Sequence, residues 1–270
     1  MPFMQKTIVY ACVLLLFIIS CNDKDSPIDP KNEPVKKCRL VKLIQGTHNG
    51  AANDTTFNFY YDATGKLNMV TDFYAGYPGI DTLLLTYNDS GKLIKAIPAG
   101  YTNASTFTYT SNGQLSEIYY PRNGYEKWRF VYNGSSNLPE KCIKTTYLSS
   151  PGSTHLDSVE YRYIVQNGNI VSKETFSKGV SVGKSTFEYD TIPNLNANLS
   201  LISLRYEALG FSDEISYFNK NLIKKNVYTY LTYSFPYNVS YKLDSGKVVQ
   251  SLTYEATPPG DTRNYFWECQ

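Results

Sequence analysis

Histidine is nearly absent from this chain, 2 residues in 270, against 25 tyrosines and 13 phenylalanines. His48 lies in Gly46-Thr47-His48-Asn49-Gly50, which reads as a loop tip, and His155 precedes Leu156-Asp157; neither belongs to a nucleophile motif. Catalysis built on imidazole therefore has little to draw on, and the expectation is a protein that is not an enzyme. Net charge is missing too: 26 basic and 24 acidic residues nearly cancel. No stripe of Lys and Arg forms the surface that phosphate neutralisation needs, so nucleic acid is not an expected partner. The 5 cysteines include no CxxC pair, which excludes the usual zinc and thioredoxin spacings; no metal and no cofactor is expected. A long apolar run is also lacking. The stretch from Ile8 to Ile19 is about a dozen residues, short of the roughly 20 that carry a helix across a bilayer.

That stretch follows Lys6 and is followed by Ser20 and Cys21, the layout of a signal peptide over residues 1–20. Ile18-Ile19-Ser20-Cys21 resembles the lipobox of bacterial lipoproteins. The resemblance implies cleavage before Cys21 and lipidation of its thiol, with the membrane as a partner through that anchor; each buried CH₂ adds about 0.8 kcal/mol. Residues 21–37 are Asp, Lys, Pro, Asn, Ser and Glu with scarcely an apolar side chain, a composition that cannot order itself and reads as a tether. Lys24-Asp25 resembles the charged export tags of Bacteroidetes lipoproteins. It implies an outer-membrane location, with the cell surface and the periplasmic face both open.

What the chain does have is an internal repeat. Phe59-Tyr60-Tyr61-Asp62-Ala63-Thr64-Gly65-Lys66-Leu67 recurs as Leu85-Thr86-Tyr87-Asn88-Asp89-Ser90-Gly91-Lys92-Leu93 and as Phe107-Thr108-Tyr109-Thr110-Ser111-Asn112-Gly113-Gln114-Leu115. Apolar and polar residues alternate as a half-buried strand requires. A turn ending in glycine follows, and an aliphatic residue opens the return strand. Weaker copies occur at Phe130 to Gly134, at Tyr161 to Ile170 and at Tyr241 to Val248. The spacing of the turn glycines varies too much for a solenoid with a fixed rung. The expected fold is all-β: an antiparallel up-and-down meander of hairpins over residues 38–270, of about 14 to 16 strands, bent into a strongly curved sheet or barrel. Val159-Glu160-Tyr161-Arg162-Tyr163 puts Val and Tyr on one face and charges on the other. Charged strand positions of this kind do not suit a lipid-facing wall, so the expected barrel or sheet is soluble. Leu199, Ile202, Tyr206 and Leu209, after Asn198 and before Gly210, have near-helical spacing and predict a short helix or insertion.

Tyr61-Asp62 through Gly65-Lys66-Leu67 resembles the YD repeat of bacterial Rhs proteins and teneurins, whose repeats roll into large β-structures. Residues 38–270 as a whole, with a cysteine-led first strand, Tyr-rich hairpins and scattered Gly-Lys-Leu turns, resemble a Bacteroidetes lipoprotein family of unknown function with a porin-like fold. The resemblance implies an antiparallel barrel and carries no catalytic residues. With Cys12 lost with the signal peptide and Cys21 lipidated, Cys38, Cys142 and Cys269 remain. Neighbouring first and last strands would let Cys38 and Cys269 form a disulfide across the seam, leaving Cys142 as a buried thiol.

Candidate sites follow from what the turns do not use. Most Asp residues close turns, where bonding to the local backbone explains them. The tyrosine excess is expected to be mainly structural, with rings half buried and hydroxyls wet. An exposed subset around the Pro121-Arg122-Asn123-Gly124 turn, with Tyr125 and Trp128, is the candidate for stacking on a sugar or a peptide. Asp54-Thr55-Thr56, Asp81-Thr82-Leu83, Asp157-Ser158-Val159 and Asp190-Thr191-Ile192 match the triplet that Bacteroidetes O-glycosylate, which implies sugars on Thr55, Thr82, Ser158 and Thr191. The same triplets also arise wherever Asp closes a turn before a Thr-led strand. Three activities are therefore weighed: a glycan- or protein-binding module, an accessory subunit of an outer-membrane complex, and a hydrolase. A concave aromatic patch marks the first, an apolar strip along a sheet edge the second, and converging carboxylates in a pocket the third.

Overall fold

The computed structural model describes residues 38–47, 55–74, 81–121, 125–134, 136–148, 154–194, 215–255 and 259–269. The signal peptide, Cys21, the tether and the predicted helix at 199–209 lie outside these residues. Sixteen strands run in order: β1 Cys38–Thr47, β2 Thr55–Tyr61, β3 Leu67–Tyr74, β4 Asp81–Tyr87, β5 Leu93–Pro98, β6 Ser105–Tyr109, β7 Leu115–Tyr120 and β8 Glu126–Val131 form the first half. The second half comprises β9 Lys141–Tyr147, β10 His155–Gln166, β11 Asn169–Ser177, β12 Val180–Pro193, β13 Asn221–Tyr230, β14 Tyr233–Asp244, β15 Lys247–Glu255 and β16 Pro259–Cys269. One helical turn, α1 Ile215–Phe218, precedes β13. Each strand pairs with its sequence neighbours and β1 pairs with β16, giving a closed up-and-down barrel. Arg39–Glu268 is one compact unit, and a disulfide joins Cys38 to Cys269.

The alternation read from the sequence decides which way each strand faces. Phe57 and Phe59 on β2, Val70 on β3, Leu83 and Leu85 on β4, Phe107 on β6 and Ile118 on β7 are buried. Register places Phe59 opposite Val70, Val70 opposite Leu83, and Phe107 opposite Ile118, so they share one face. Each such side chain contributes roughly 1.5–3 kcal/mol of burial. The opposite face is mixed. Tyr60, Met69, Leu84 and Ile97 are register partners on it across β2 to β5, while further round the barrel Lys127 pairs with Glu117 at 2.6 Å, Lys225 with Glu188 at 2.8 Å and Lys141 with Glu160 at 3.4 Å.

Each residue of the repeat has a physical duty. In the first copy the Asp62 N–H donates to the Lys66 carbonyl, while the Asp62 carboxylate accepts from Thr64 and from the Lys66 N–H. The hydrogen bond from the Thr64 side chain, first among these contacts, holds the Asp62 carboxyl below its ordinary value. Gly65 closes the turn at φ +79°, a conformation that costs other residues strain. The tyrosine works across strands: Tyr61 Oη donates to the Leu40 carbonyl on β1 at 2.7 Å. The same bond recurs from Tyr109 to Leu93, Tyr132 to Leu115, Tyr241 to Ile223 and Tyr189 to Ile170, and Trp267 Nε1 repeats it to Val248. The lysine after the glycine reaches the next hairpin. Lys66 lies over the Tyr87 ring at 5.3 Å and Lys92 over the Tyr109 ring at 5.1 Å. Lys92 Nζ also donates to the Gly113 carbonyl, and its ammonium occupies the space where a Cβ on residue 113 would stand.

Candidate functional site

One hairpin stands apart from the repeat, whose turns join an even strand to the next odd one: β13 and β14 meet at the other end of the barrel, where Tyr228 to Tyr237 reads Tyr-Thr-Tyr-Leu-Thr-Tyr-Ser-Phe-Pro-Tyr. No charged residue occurs between Lys225 and Lys242. Register pairs Tyr228 with Phe235 and Tyr230 with Tyr233 across β13 and β14, so the four rings stand on one face. Residues along a strand face repeat about every 7 Å, and paired strands lie about 5 Å apart. The four rings therefore make a small platform.

This platform is open to solvent. Tyr230 is 45% exposed, Tyr233 66% and Phe235 48%. The described register of β14 with β15 begins at the Tyr237–Glu255 pair, leaving Tyr233 to Pro236 bonded to β13. Pro236 lacks an N–H, which blunts this edge against pairing with another strand. Tyr228 is held from behind: a Cβ on Gly183 of β12 would come within 2.9 Å of its hydroxyl and 3.1 Å of its ring. At the tip, Leu231 is 75% exposed and holds φ at +52°. Asn167, Lys178 and Ser245 hold the same conformation at other tips, each followed by a glycine. A bulky apolar residue there costs of order 1–3 kcal/mol, and such strain gathers at functional sites.

The inner wall continues from this hairpin into the barrel. Trp128 on β8, expected as an exposed stacking residue beside Tyr125, is corrected by its surroundings: it is 7% exposed and lies on the buried face opposite Ile118. Its ring stacks on Tyr161 at 5.9 Å, with Lys144 Nζ over it at 5.1 Å, and Lys144 pairs with Glu126 at 2.7 Å. Tyr125 stacks instead on Tyr119 at 6.1 Å. Tyr119 pairs with Lys127, whose side chains face outward, so Trp128 and Tyr125 lie on opposite faces and share no patch. Strand alternation explains the error: the two positions are an odd number of residues apart.

The remaining expected positions scatter. Thr55 is buried at 6% exposure on the inner face of β2, which leaves no room for a sugar. Thr82 and Ser158 are half buried, and Thr191 is exposed with its hydroxyl donating to Asp190. His48 is outside the described residues; His155 is exposed and meets Tyr147 edge-on. Cys142 is a buried thiol. Asp72 and Asp81 face each other across β3 and β4. Burial, and then the Asp81 charge, raise the Asp72 carboxyl to about 6. Among the described residues no group of three His, Cys, Asp or Glu side chains is arranged to hold a metal.

Similarity to known proteins is confined to fold. No family model matches the chain, and no curated protein matches it. A porin-like protein from Bacteroides uniformis superposes with a TM-score of 0.57 at 16% identity, covering 85% of this chain and 98% of that one. A porin-like protein from Bacteroides vulgatus gives 0.55 at 12% identity, with the same coverage.

Proposed function

We propose that this protein is a lipid-anchored envelope lipoprotein that binds glycans without catalysis, through the aromatic hairpin of β13 and β14. The observation that carries the reading is the charge-free platform of Tyr228, Tyr230, Tyr233 and Phe235, the last three exposed, on a barrel where Tyr61, Tyr109 and Tyr132 are instead committed to backbone carbonyls. Tyrosine faces pack on the apolar faces of sugar rings while hydroxyls satisfy the sugar rim.

Topology supports an external ligand. The turns closed by Gly65, Gly91 and Gly113 lie at the end where Arg39 pairs with Glu268, and so does the start of β1. The Leu231 tip lies at the opposite end. The hairpin tip thus stands at the barrel end away from the start of β1. The Bacteroides neighbours agree with an envelope setting in fold, and the Ile18-Ile19-Ser20-Cys21 lipobox supplies the attachment.

The test is retention of the purified protein on immobilised polysaccharides, compared with a variant carrying Tyr233→Ala and Phe235→Ala. Loss of retention with an unchanged melting temperature supports the reading. Equal retention of both proteins, or none by either across neutral and acidic polymers, overturns it.

A further inference from the structure

The outer wall divides into a charged part and an uncharged one. Between β7 and β13 it is laced with ion pairs, Lys127 with Glu117, Lys141 with Glu160 and Lys225 with Glu188. Over β2 to β4 the pattern changes. Register turns Thr56, Asn58 and Tyr60 of β2, Met69, Thr71 and Phe73 of β3, and Thr82, Leu84 and Thr86 of β4 outward, and none of these carries a charge. Lys42 of β1 and Lys95 of β5, the register partners of Asn58 and Thr86, flank the area. Its centre is the row Tyr60, Met69, Leu84 and Ile97. Tyr60 is 44% exposed, Leu84 43% and Phe73 45%, so the apolar side chains stand in water.

Two features of this wall name its occupant. A charge-free face gives a charged partner nothing to pair with and penalises every charge it buries. The surface that meets it must be uncharged too, and a second copy of the same wall is such a surface. The row is also complementary to itself. A two-fold axis running along the strands between β3 and β4 lays Tyr60 over Ile97 of the second copy, Met69 over its Leu84 and Thr71 over its Thr82. Four strands by seven residues measure about 20 Å by 24 Å, so two copies bury roughly 1,000 Å², the low end of specific interfaces. We propose that this wall is the interface of a weak homodimer, two copies packed outer face to outer face about that axis. Because the axis follows the strands, both copies present their Leu231 tips at the same end. The pairing does not depend on what the hairpin binds.

Sedimentation velocity of the purified protein is expected to show a monomer giving way to a dimer over roughly 1–100 μM, the range that such an area supports. Ile97→Glu sets a carboxylate in the interface without a partner and should weaken the dimer at least about tenfold, with unchanged far-UV circular dichroism. Adding Tyr60→Lys places an ammonium over that carboxylate from the other copy and should restore most of the loss. Within one chain the two positions are three strands apart, about 14 Å, too far to pair. Raised salt should weaken the dimer of this double variant and spare that of the unaltered protein. A protein that stays monomeric at about 100 μM overturns the proposal, and its flotation with phosphatidylcholine vesicles would assign the wall to lipid instead. Ile97→Glu dimerising as tightly as the unaltered protein, or a double variant no tighter than the single one, overturns it equally.

Discussion

The bonds from ring hydroxyls to carbonyls should be worth measurable stability, because each joins a strand to the one before it independently of the sheet's own ladder. Tyr61, Tyr132 and Tyr241 donate to Leu40, Leu115 and Ile223 at 2.7, 2.7 and 2.6 Å. Replacing each with Phe keeps the buried ring and removes one hydroxyl. A net hydrogen bond contributes about 0.5–1.5 kcal/mol, and a carbonyl left without its partner pushes the value upward. The three bonds lie on β1, β7 and β13 and share no residue, so their losses should add within a few tenths of a kcal/mol. The triple variant is expected to lose about 3 kcal/mol out of the roughly 5–15 kcal/mol that hold a domain folded. Urea denaturation followed by far-UV circular dichroism should show the midpoint falling with an unchanged slope, and thermal melting should fall by roughly 6–12 °C. Tyr60→Phe, on an exposed outward position, is the control. If the triple variant unfolds where the control does, the bonds between hairpins contribute nothing and the account of the tyrosine excess is wrong.

Burial raises the Tyr87 hydroxyl to about 12 and pushes Tyr109, Tyr132 and Tyr241 further up; the stability this represents is whole below pH 10 and lost as pH rises through the folded values. Tyrosinate absorbance should therefore rise in step with loss of circular dichroism above about pH 10, and full ionisation near pH 10 in an intact fold would refute it. Asp72, raised to about 6, favours folding below its unfolded value and costs stability as pH rises through 6; Asp72→Asn should stabilise by on the order of 1 kcal/mol at pH 7 after solvent screening, and not at pH 4, as urea midpoints at the two values will show. Reducing Cys38–Cys269, 231 residues apart, should lower the urea midpoint by up to about 5 kcal/mol of stability on chain entropy; unchanged midpoints with and without reductant would exclude the bond. Leu231→Gly relieves the left-handed leucine and should raise the melting temperature by about 1 kcal/mol of stability, while weakening any ligand that uses the Leu231 side chain; a lower melting temperature would show that the conformation is unstrained.

Much of the barrel was legible because its signal is local. Alternation in Phe57-Asn58-Phe59 and the turn at Asp62 to Gly65 each specify a strand pair without reference to the rest of the chain. Closure was legible only as an alternative to an open, curved sheet. The β1 and β16 seam depends on the sum of small inter-strand rotations over sixteen strands, which no single hairpin records. Trp128 shows where local reading fails: its aromatic neighbours suggested a surface patch, but one residue of parity turns a ring from solvent to core.

The site escaped notice for a related reason. The copies of the repeat sit at turns that join an even strand to the next odd one, whereas the Leu231 tip joins β13 to β14 at the other end of the barrel, so a search for repeats never scores it. What marks it is local: no charge between Lys225 and Lys242, and an exposed leucine at φ +52° where Asn167, Lys178 and Ser245 are each followed by a glycine. A tip that holds a bulky residue in a conformation the fold could give to glycine forgoes stability, and that is where a ligand should be sought.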